Sequence, residues 1–213
     1  MEHLYPLFLN LSGKNCLIVG GGPVAERKAA SLLEYGANIK IVSPAVEKEI
    51  AAWAEENVLT WVVREFAADD LDGAYMVFIA TDDNGLNKHI ADRCRQKGIL
   101  VNAVDDPPNC DFFVPSVLRR DCLAVAISTE GRSPMFAARL RRQLESIITE
   151  EYGQIVNMLG QVRDELRCSS LDITQRKQFL EQLVDFDLLE LLQTGRYQEA
   201  EERINQCMSC LRD

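Results

Sequence analysis

A glycine-rich segment near the amino terminus constrains the fold of this chain more than any other feature. A short apolar run, residues 16–19, leads directly into Gly20, Gly21 and Gly22, and apolar residues then recur at helical spacing. With Ala25, these glycines satisfy the pattern GxGxxA between a predicted strand and a predicted helix. Glycines here permit a tight turn and close approach of a pyrophosphate, which a helix amino terminus also favours. The segment predicts dinucleotide binding; a glycine-rich turn without a ligand is the alternative.

The next part of the chain alternates short apolar runs with longer amphipathic ones. This alternation is typical of βα units and a parallel sheet. Gly36 is suited to end the first helix. The apolar run at 75–80 is continuous, as in strands buried on both faces of a sheet. Strands are predicted at 16–19, 39–42, 59–63, 75–80 and 99–104, and helices at 24–35, 46–56 and 84–97.

The pattern changes after the two consecutive prolines that follow the fifth strand. Two extended runs, 112–118 and 123–127, are separated by a short polar segment and predict a hairpin. Ser133 and Pro134 then begin a helix as its N-cap and first-turn residue. The remaining sequence is helical in pattern. Three domains are predicted, at residues 1–111, 112–149 and 150–213.

Polar residues follow the fourth and fifth predicted strands, at the edge where open parallel sheets bind ligands. Asp82 and Asp83 are most simply capping residues for the helix that begins at Asn84. Asp105 and Asp106 are adjacent carboxylates at the end of the fifth strand, and they include a candidate for proton transfer. A solvated turn before the two prolines explains this second pair equally well.

The end of the second strand bears on the choice between NAD and NADP. It reads Val42-Ser43-Pro44, without the Asp or Glu that commonly holds the adenosine ribose of NAD. The same loop also lacks an Arg for the 2′-phosphate of NADP, and its nearest cation is Lys48. We therefore predict NAD as the cofactor, although the usual acidic residue is missing.

The distribution of charge limits the partners of this chain. A net charge of -10 argues against nucleic acid, because phosphate binding normally depends on an excess of Lys and Arg. Arginines are nevertheless concentrated in one stretch, where only Asp121 and Glu130 oppose them. Because arginine forks match carboxylates, this stretch is a candidate site for a polycarboxylate, with a solvated helix face as the ordinary alternative. Its members are Arg119, Arg120, Arg132, Arg139, Arg141 and Arg142.

The sequence predicts neither a membrane segment nor a metal centre. No apolar run approaches the about 20 residues that span a bilayer, and the amino terminus lacks the features of a signal peptide. We therefore expect a cytoplasmic protein. An odd number of cysteines, 7, is more consistent with reduced thiols than with disulfides. Cys207 and Cys210 form a CxxC pair, which is half of a zinc site at best. Because His3 and His89 are far away in the sequence, two cysteines in a terminal helix are the simpler interpretation.

Together these segments resemble the precorrin-2 dehydrogenases, including the dehydrogenase modules of siroheme synthases. The resemblance covers nearly the whole chain. Its most specific features are the glycine-rich loop extended by Arg27 and Lys28, the Asn-x-x-Asp-Asp segment at 102–106, and Ser133-Pro134 in this order. Further matching segments lie at 5–8, 80–83, 86–87, 110–112, 115–116 and 127–132.

The resemblance implies a fold, an activity and an assembly. The fold is α/β, with an N-terminal Rossmann-type parallel sheet, a small strand-helix dimerisation segment and an all-helical C-terminal domain. The activity is NAD-dependent oxidation of precorrin-2, a tetrapyrrole, to sirohydrochlorin in siroheme biosynthesis, in a homodimer. The chain shows no methyltransferase module, so we expect the short form. Whether it also inserts ferrous iron in the same cleft stays open.

The resemblance also implies roles for single residues. Asp105 matches the aspartate with the acid/base role, Pro23-Val24 and Pro44-Ala45 match NAD contacts, and Ser128 lies in the segment lining the tetrapyrrole cleft. The predicted cofactor-binding residues are Gly20, Gly21, Gly22, Pro23, Val24, Ser43, Pro44, Ala45, Thr81 and Asn102. The predicted substrate-binding residues are Ser128, Arg132 and Ser133, and no metal ligand is predicted.

The sequence leaves two functions of other classes open. A non-catalytic NAD-binding sensor would use the glycine-rich loop for the nucleotide and the helical tail for a protein partner. A dehydrogenase of a small hydroxy or amino acid is the other alternative. The absence of a plausible catalytic His or Lys near the strand ends weighs against it, because His89 is predicted inside a helix.

Overall fold

The computed structural model describes residues 3–184 and 187–209. The chain divides into two compact units, Met1–Val114 and Pro115–Asp213. Each unit has a hydrophobic core of its own. Cys210, one half of the CxxC pair, lies outside the described residues.

The first unit contains one parallel sheet. Its strands are β1 (Asn15–Val19), β2 (Asn38–Val42), β3 (Thr60–Val62), β4 (Met76–Ile79) and β5 (Leu100–Ala103). They lie in the order β3-β2-β1-β4-β5, and every neighbouring pair is parallel. The five predicted strands are confirmed, each end within one residue. Because the order reverses at β1 and β4, the loops after these strands flank the crevice where such sheets bind ligands.

Three helices connect these strands. They are α1 (Pro23–Glu34), α2 (Lys48–Glu55) and α3 (Asn84–Lys97). As predicted, Gly36 ends the first helix in the left-handed conformation, with φ of 68°. Asp83 is the N-cap of α3, because its carboxylate accepts from the amides of Gly85 and Leu86 at 2.8 and 2.9 Å. The capping role predicted for Asp83 is therefore confirmed.

The sheet is buried on both faces. Ile18 and Ile41 pack with residues of α1 and α2 on one face, and Val77 and Val101 pack with residues of α3 on the other. Fully burying one such side chain contributes about 1.5–3 kcal/mol. Coverage on both faces explains why the strand at 75–80 reads as continuously apolar in the sequence.

One buried carboxylate lies among the charged groups of the first unit. Asp70, in a one-turn 3₁₀ helix, is 3% exposed. Its oxygens accept from Lys40 at 2.8 Å, from Arg64 at 2.7 Å and from the amide of Ala67 at 2.8 Å. The hydrogen bonds from Arg64 hold the pKa of Asp70 well below its usual range. Burial of the carboxylate raises this pKa, and the hydrogen bond and charge of Lys40 lower it further. The ionised carboxylate therefore fastens this turn to β2.

The second unit begins with a hairpin and continues as helices. Its elements are β6 (Ser116–Arg120), β7 (Leu123–Ile127), α4 (Pro134–Glu145), α5 (Glu150–Arg167), α6 (Ile173–Val184), α7 (Leu188–Gln193) and α8 (Tyr197–Ser209). The hairpin is antiparallel, as predicted. Ser133 is the N-cap of α4, where its hydroxyl accepts from the amide of Phe136 at 3.3 Å.

The predicted start of the hairpin is wrong by four residues. The strand begins at Ser116 rather than at Phe112, because Phe112 packs edge-on against Phe78 and its carbonyl accepts from Asn102 at 2.9 Å. These contacts fasten it to the first unit. Arg119 and Arg120 belong to the strand rather than to the turn.

The second unit depends on a close backbone contact of its own. A Cβ atom on Gly153 of α5 would lie 2.5 Å from the carbonyl oxygen of Arg120 in β6. Glycine therefore lets α5 approach the hairpin. The helices enclose a separate apolar cluster that includes Leu166, Leu183 and Leu192. In the part of the chain that the structure describes, no helix has the length and apolar character that crossing a membrane requires.

Replacing Asp70 with Asn tests the buried carboxylate. At pH 7 Asp70→Asn should lower the free energy of unfolding of the first unit by about 1–2 kcal/mol, a modest value because Lys40 and Arg64 are partly exposed. Urea titration followed by tryptophan fluorescence measures this, since Trp53 and Trp61 both lie in that unit.

The same variant has a defined dependence on pH. The folded state lowers the pKa of Asp70, so its stabilisation is present above the unfolded value of about 3.9 and is lost as the pH falls below it. The difference between Asp70→Asn and the unmodified chain should therefore shrink from about pH 4 downwards. Asp72→Asn, which breaks an exposed ion pair with Lys97, is the control and should change the free energy of unfolding little at any pH. Equal losses of unfolding free energy in Asp70→Asn and Asp72→Asn would contradict the structural role assigned to Asp70.

Candidate dinucleotide site and active site

The first two glycines of the loop are required by the fold itself. Gly20 has φ of 115°, and a Cβ atom there would lie 2.1 Å from the carbonyl oxygen of Ala80. A Cβ atom on Gly21 would lie 2.0 Å from the carbonyl oxygen of Ala45. The loop after β1 therefore packs backbone to backbone against the residues that follow β4 and β2.

Gly22 differs from its two neighbours. It is the N-cap of α1 with φ of -80°, and a Cβ atom there would meet nothing within 4 Å. The first bond of the helix runs from the amide of Glu26 to the carbonyl of Gly22, so the amides of Val24 and Ala25 have no acceptor inside the helix. Open space beside unused amides at the positive end of a helix fits a pyrophosphate.

The loop after β2 borders the glycine-rich loop. The amide of Glu47 donates to the carbonyl of Gly21 at 2.9 Å. The hydroxyl of Ser43 is turned into its own loop, where it donates to the carbonyl of Ala45 at 2.6 Å. Pro44 and Ala45 are exposed beside it. This places the predicted contacts Ser43, Pro44 and Ala45 next to the predicted pyrophosphate position.

Thr81 lies in the turn after β4, as predicted, and its side chain is engaged there. Its hydroxyl donates to Oδ1 of Asn87 at 2.5 Å, and the amide of Asn87 donates back to the carbonyl of Thr81 at 2.9 Å. Asn87 is buried in α3. This reciprocal pair fixes the turn that packs against Gly20.

Asn102 in β5 fixes the path of the chain beyond the last strand. Its side chain is buried, and Nδ2 donates to the carbonyl of Phe112 at 2.9 Å. The thiol of Cys110 donates to the carbonyl of Ala103 at 3.1 Å, and burial raises the pKa of this thiol. These bonds close the segment 104–112 into a loop that carries both candidate aspartates.

The two aspartates of this loop have different environments. Asp106 is half-buried, and its carboxylate accepts from the side-chain amide of Asn109 at 2.6 Å. Asp105 is exposed, and its backbone is held in the left-handed conformation with φ of 58°. Among the described residues, no hydrogen bond or ion pair engages the carboxylate of Asp105. Asp106 therefore has a structural partner in its turn, whereas the side chain of Asp105 is exposed to solvent.

The structure places a lysine near these strand ends, where the sequence indicated none. Lys28 of α1 is half-buried, and its Nζ atom lies 5.4 Å from the ring centroid of Phe78 in β4. Burial lowers the pKa of Lys28, the charge of Arg27 lowers it further, and the fields of Cys110 and Asp105 oppose this. The sequence contains an indication that Lys28 lies on the inner side of α1, because it follows the buried Ala25 by three positions and so shares its helix face.

The predicted substrate residues Ser128, Arg132 and Ser133 lie together in one turn before α4. The hydroxyl of Ser128 accepts from the amide of Glu130 at 3.0 Å, and the amide of Arg132 donates to the carbonyl of Thr129 at 2.9 Å. Glu130 and the following glycine both have positive φ, as in a tight turn. The hydroxyl of Ser133 is used as the helix cap.

Two members of the arginine-rich stretch serve the second unit itself. Arg120 donates from Nε to the carbonyl of Ile148 at 2.9 Å and pairs with Glu150. Arg141 pairs with Glu145 one turn along α4. These contacts give Arg120 and Arg141 a structural role, and binding of a polycarboxylate by the stretch stays a prediction.

The fold and the glycine-rich loop define a nicotinamide-dinucleotide-binding protein of the Rossmann type. A family model described as putative NAD(P)-binding matches residues 7–116. Models described as sirohaem biosynthesis protein central and sirohaem synthase dimerisation region match residues 120–147 and 151–208. The chain belongs to this NAD(P)-binding family, in the group formed by precorrin-2 dehydrogenases and the dehydrogenase modules of siroheme synthases.

Known relatives and one solved structure agree with this assignment. The siroheme synthases of Nitrosococcus oceani and Enterobacter sp. are 35% and 38% identical over 94% and 95% of this chain. The match spans 43% and 44% of those proteins, so the chain has less than half the length of these curated relatives. The solved structure of SirC, precorrin-2 dehydrogenase, has a TM-score of 0.79 at 27% identity, covering 97% of this chain and 100% of that one.

Substitutions in the loop should separate folding from nucleotide binding. Gly22→Val should leave the thermal unfolding midpoint within a few degrees of the unmodified chain, since its side chain meets open space, but abolish NADH binding measured by calorimetry. Gly21→Ala should instead lower the midpoint strongly, because its methyl group would collide with the carbonyl of Ala45. Normal NADH affinity in Gly22→Val would contradict the assigned pyrophosphate position.

Proposed function

We propose that this chain is an NAD-dependent dehydrogenase that oxidises precorrin-2 to sirohydrochlorin in siroheme biosynthesis. The observation that carries the proposal is the placement of the glycine-rich loop and the Asp105 turn after β1 and β5 of the same parallel sheet. Strands of such a sheet present their carboxyl ends along one edge. The similarity to a precorrin-2 dehydrogenase over 97% of the chain supports this substrate.

NAD is the proposed cofactor rather than NADP. Gly22 and the free amides of Val24 and Ala25 would hold its pyrophosphate, and the loop of Pro44 and Ala45 would border the adenosine ribose. No arginine lies in that loop to bind a 2′-phosphate, and Glu47 at the start of α2 would repel one.

The proposed reaction removes a hydride and a proton from precorrin-2 and yields sirohydrochlorin, NADH and H⁺. A bound nicotinamide supplies the acceptor for the hydride. Asp105 is the proposed base for the proton, because its carboxylate is exposed and not engaged by the described residues. Asn102 and Cys110 hold the loop that presents Asp105, so they position the base without contacting the reacting atoms.

A homodimer is part of the proposal. We propose residues 1–111 as the NAD-binding domain, 112–149 as a dimerisation segment and 150–213 as a helical domain. Residues 151–208 of the helical domain also contribute to the proposed dimer, because the family model that matches them is described as a dimerisation region. The hairpin of β6 and β7 supports this, because a sheet of two strands leaves both edges unpaired. Ser128, Arg132 and Ser133 are proposed to bind the tetrapyrrole from their turn.

A cytoplasmic location is also proposed. Cys16, Cys94, Cys110, Cys122 and Cys168 carry free thiols, as proteins of a reducing compartment do. Ferrous iron would be a substrate of a separate insertion step. Among the described residues, no cluster of three or more His, Cys, Asp or Glu side chains is arranged to hold a metal ion. The proposal is therefore limited to the dehydrogenase step, and iron insertion stays open.

Substitution of Asp105 tests the proposed base. Asp105→Asn keeps the size of the side chain, and asparagine tolerates the left-handed backbone found there. It should leave the fold and NADH affinity unchanged and lower the turnover of precorrin-2 about 10² to 10⁴-fold, the usual contribution of general acid/base catalysis. Anaerobic assays that follow NADH absorbance measure the turnover.

Asp106→Asn is the matched control for this experiment. Its side chain contacts Asn109 in the turn, so the change should affect turnover much less. Asp105→Asn at full turnover would rule out Asp105 as the base. The unmodified chain failing to reduce NAD with precorrin-2 would instead exclude the dehydrogenase and favour the sensor alternative. Addition of ferrous iron to the completed reaction then tests for insertion in the same sample.

The assembly should be measurable on the chain alone. Light scattering over a range of concentrations should give a mass of two chains of 24.0 kDa each. The expected cause is pairing of the exposed hairpin edges and burial of apolar helix surface between copies. A mass of one chain at every concentration tested would contradict the dimer.

A further inference from the structure

Lys28 is a charged side chain that none of the roles above uses. It lies on α1, the helix that begins at the glycine-rich loop, and its ammonium group stands over the ring of Phe78 in β4 at 5.4 Å. That ring is in turn braced by Phe112, edge to face, with 5.5 Å between centroids. The two aromatic rings therefore form a fixed apolar support beneath the cation.

No anion compensates the charge of Lys28 within ion-pair distance. In the ranges 3–184 and 187–209, no carboxylate lies within 4.0 Å of Nζ. The residue is half-buried, and burial of an ammonium group without a paired carboxylate is unfavourable. The lowered pKa of Lys28 has this burial as its largest cause, and the neighbouring charge of Arg27 adds to it. An incoming anion would relieve both effects.

The position of this cation relates it to the proposed active site. The Phe78 ring beneath the ammonium packs on Phe112, which ends the loop that carries the proposed base, and the fields of Asp105 and Cys110 from that loop act on Lys28. A chain with net charge of -10 repels an anionic substrate unless cations are placed locally. Lys28 supplies such a charge on the helix that begins at the glycine-rich loop.

We propose that Lys28 binds a carboxylate of the tetrapyrrole substrate beside Asp105. This inference rests on the proposed function, because it assumes a polycarboxylated substrate at that edge of the sheet. The ammonium group would donate a charge-assisted hydrogen bond to the carboxylate, and the Phe78 ring would keep the cation in place. Lys28 is thus a binding residue, and Asp105 alone has the chemical role.

The alternative is that Lys28 only stabilises the fold through its aromatic contact. The chain offers a matched control, because Nζ of Lys14 also lies 5.4 Å from the ring centroid of Tyr75. Lys14 precedes β1 and Tyr75 precedes β4, so this second pair lies at the amino edge of the same two strands. A purely structural role should appear as a loss of stability in both Lys14→Met and Lys28→Met, whereas a loss of substrate binding is expected for Lys28→Met only.

The experiment measures binding of sirohydrochlorin to the full chain without NAD, by titration of its absorbance. Lys28→Met should weaken this binding about tenfold to a hundredfold, the range expected for a lost hydrogen bond to a charged group. Lys28→Arg should bind within a few-fold of the unmodified chain, and Lys14→Met should bind equally. In turnover assays Lys28→Met should raise KM for precorrin-2 by a similar factor with a much smaller change in kcat.

A neutral probe makes the test specific for charge. The fully methylated ester of sirohydrochlorin lacks carboxylates, so its affinity should be the same for Lys28→Met and the unmodified chain. Lys28→Gln is the second variant if Lys28→Met unfolds. Unchanged affinity for sirohydrochlorin in these variants, or an equal loss for acid and ester, would overturn the role of Lys28. Failure of the unmodified chain to bind sirohydrochlorin at all would overturn the proposed function instead, and NADH binding should stay constant throughout.

Discussion

The close backbone packing of Gly20 and Gly21 is the contact on which the rest of the first unit depends. Each glycine faces a carbonyl oxygen, of Ala80 and Ala45, at a distance where no side chain fits. The loops after β1, β2 and β4 are thereby joined at one edge of the sheet. Because this packing uses two glycines, Gly22 can remain at the helix start with open space before it, which is the space that a nucleotide needs.

The same edge is completed by hydrogen bonds that fix the loop after β5. Asn102 and Cys110 bond to backbone carbonyls, and Phe112 packs on Phe78, so the chain returns to the sheet before it enters the second unit. The returning loop presents Asp105 to solvent while Asp106 is bonded within its turn. The bonds of Asn102 and Cys110 thus hold the loop that presents Asp105, the base that we propose, without engaging its carboxylate.

Charges in this acidic chain divide into structural and available groups. Asp70 is matched by two cations, and Arg120 is bonded to backbone carbonyls and to Glu150. These pairs stabilise their own units and offer little to a ligand. Lys28 is different, because it is half-buried on an aromatic ring without a carboxylate at ion-pair distance in the described chain. In the role that we propose, this cation pairs with a carboxylate of the substrate.

The sequence by itself determined the strands and helices of the first unit, the caps at Asp83 and Gly36 and the glycine-rich loop, because each depends on local spacing and backbone preference. It also placed the candidate aspartates at a strand end. Only the tertiary structure decided which glycines pack against backbone, that Asp106 rather than Asp105 is bonded, and that Lys28 lies over the ring of Phe78. The tertiary structure also decided that the hairpin begins at Ser116. These features result from contacts between residues far apart in the chain, and a local pattern carries no information about which distant group will arrive beside it.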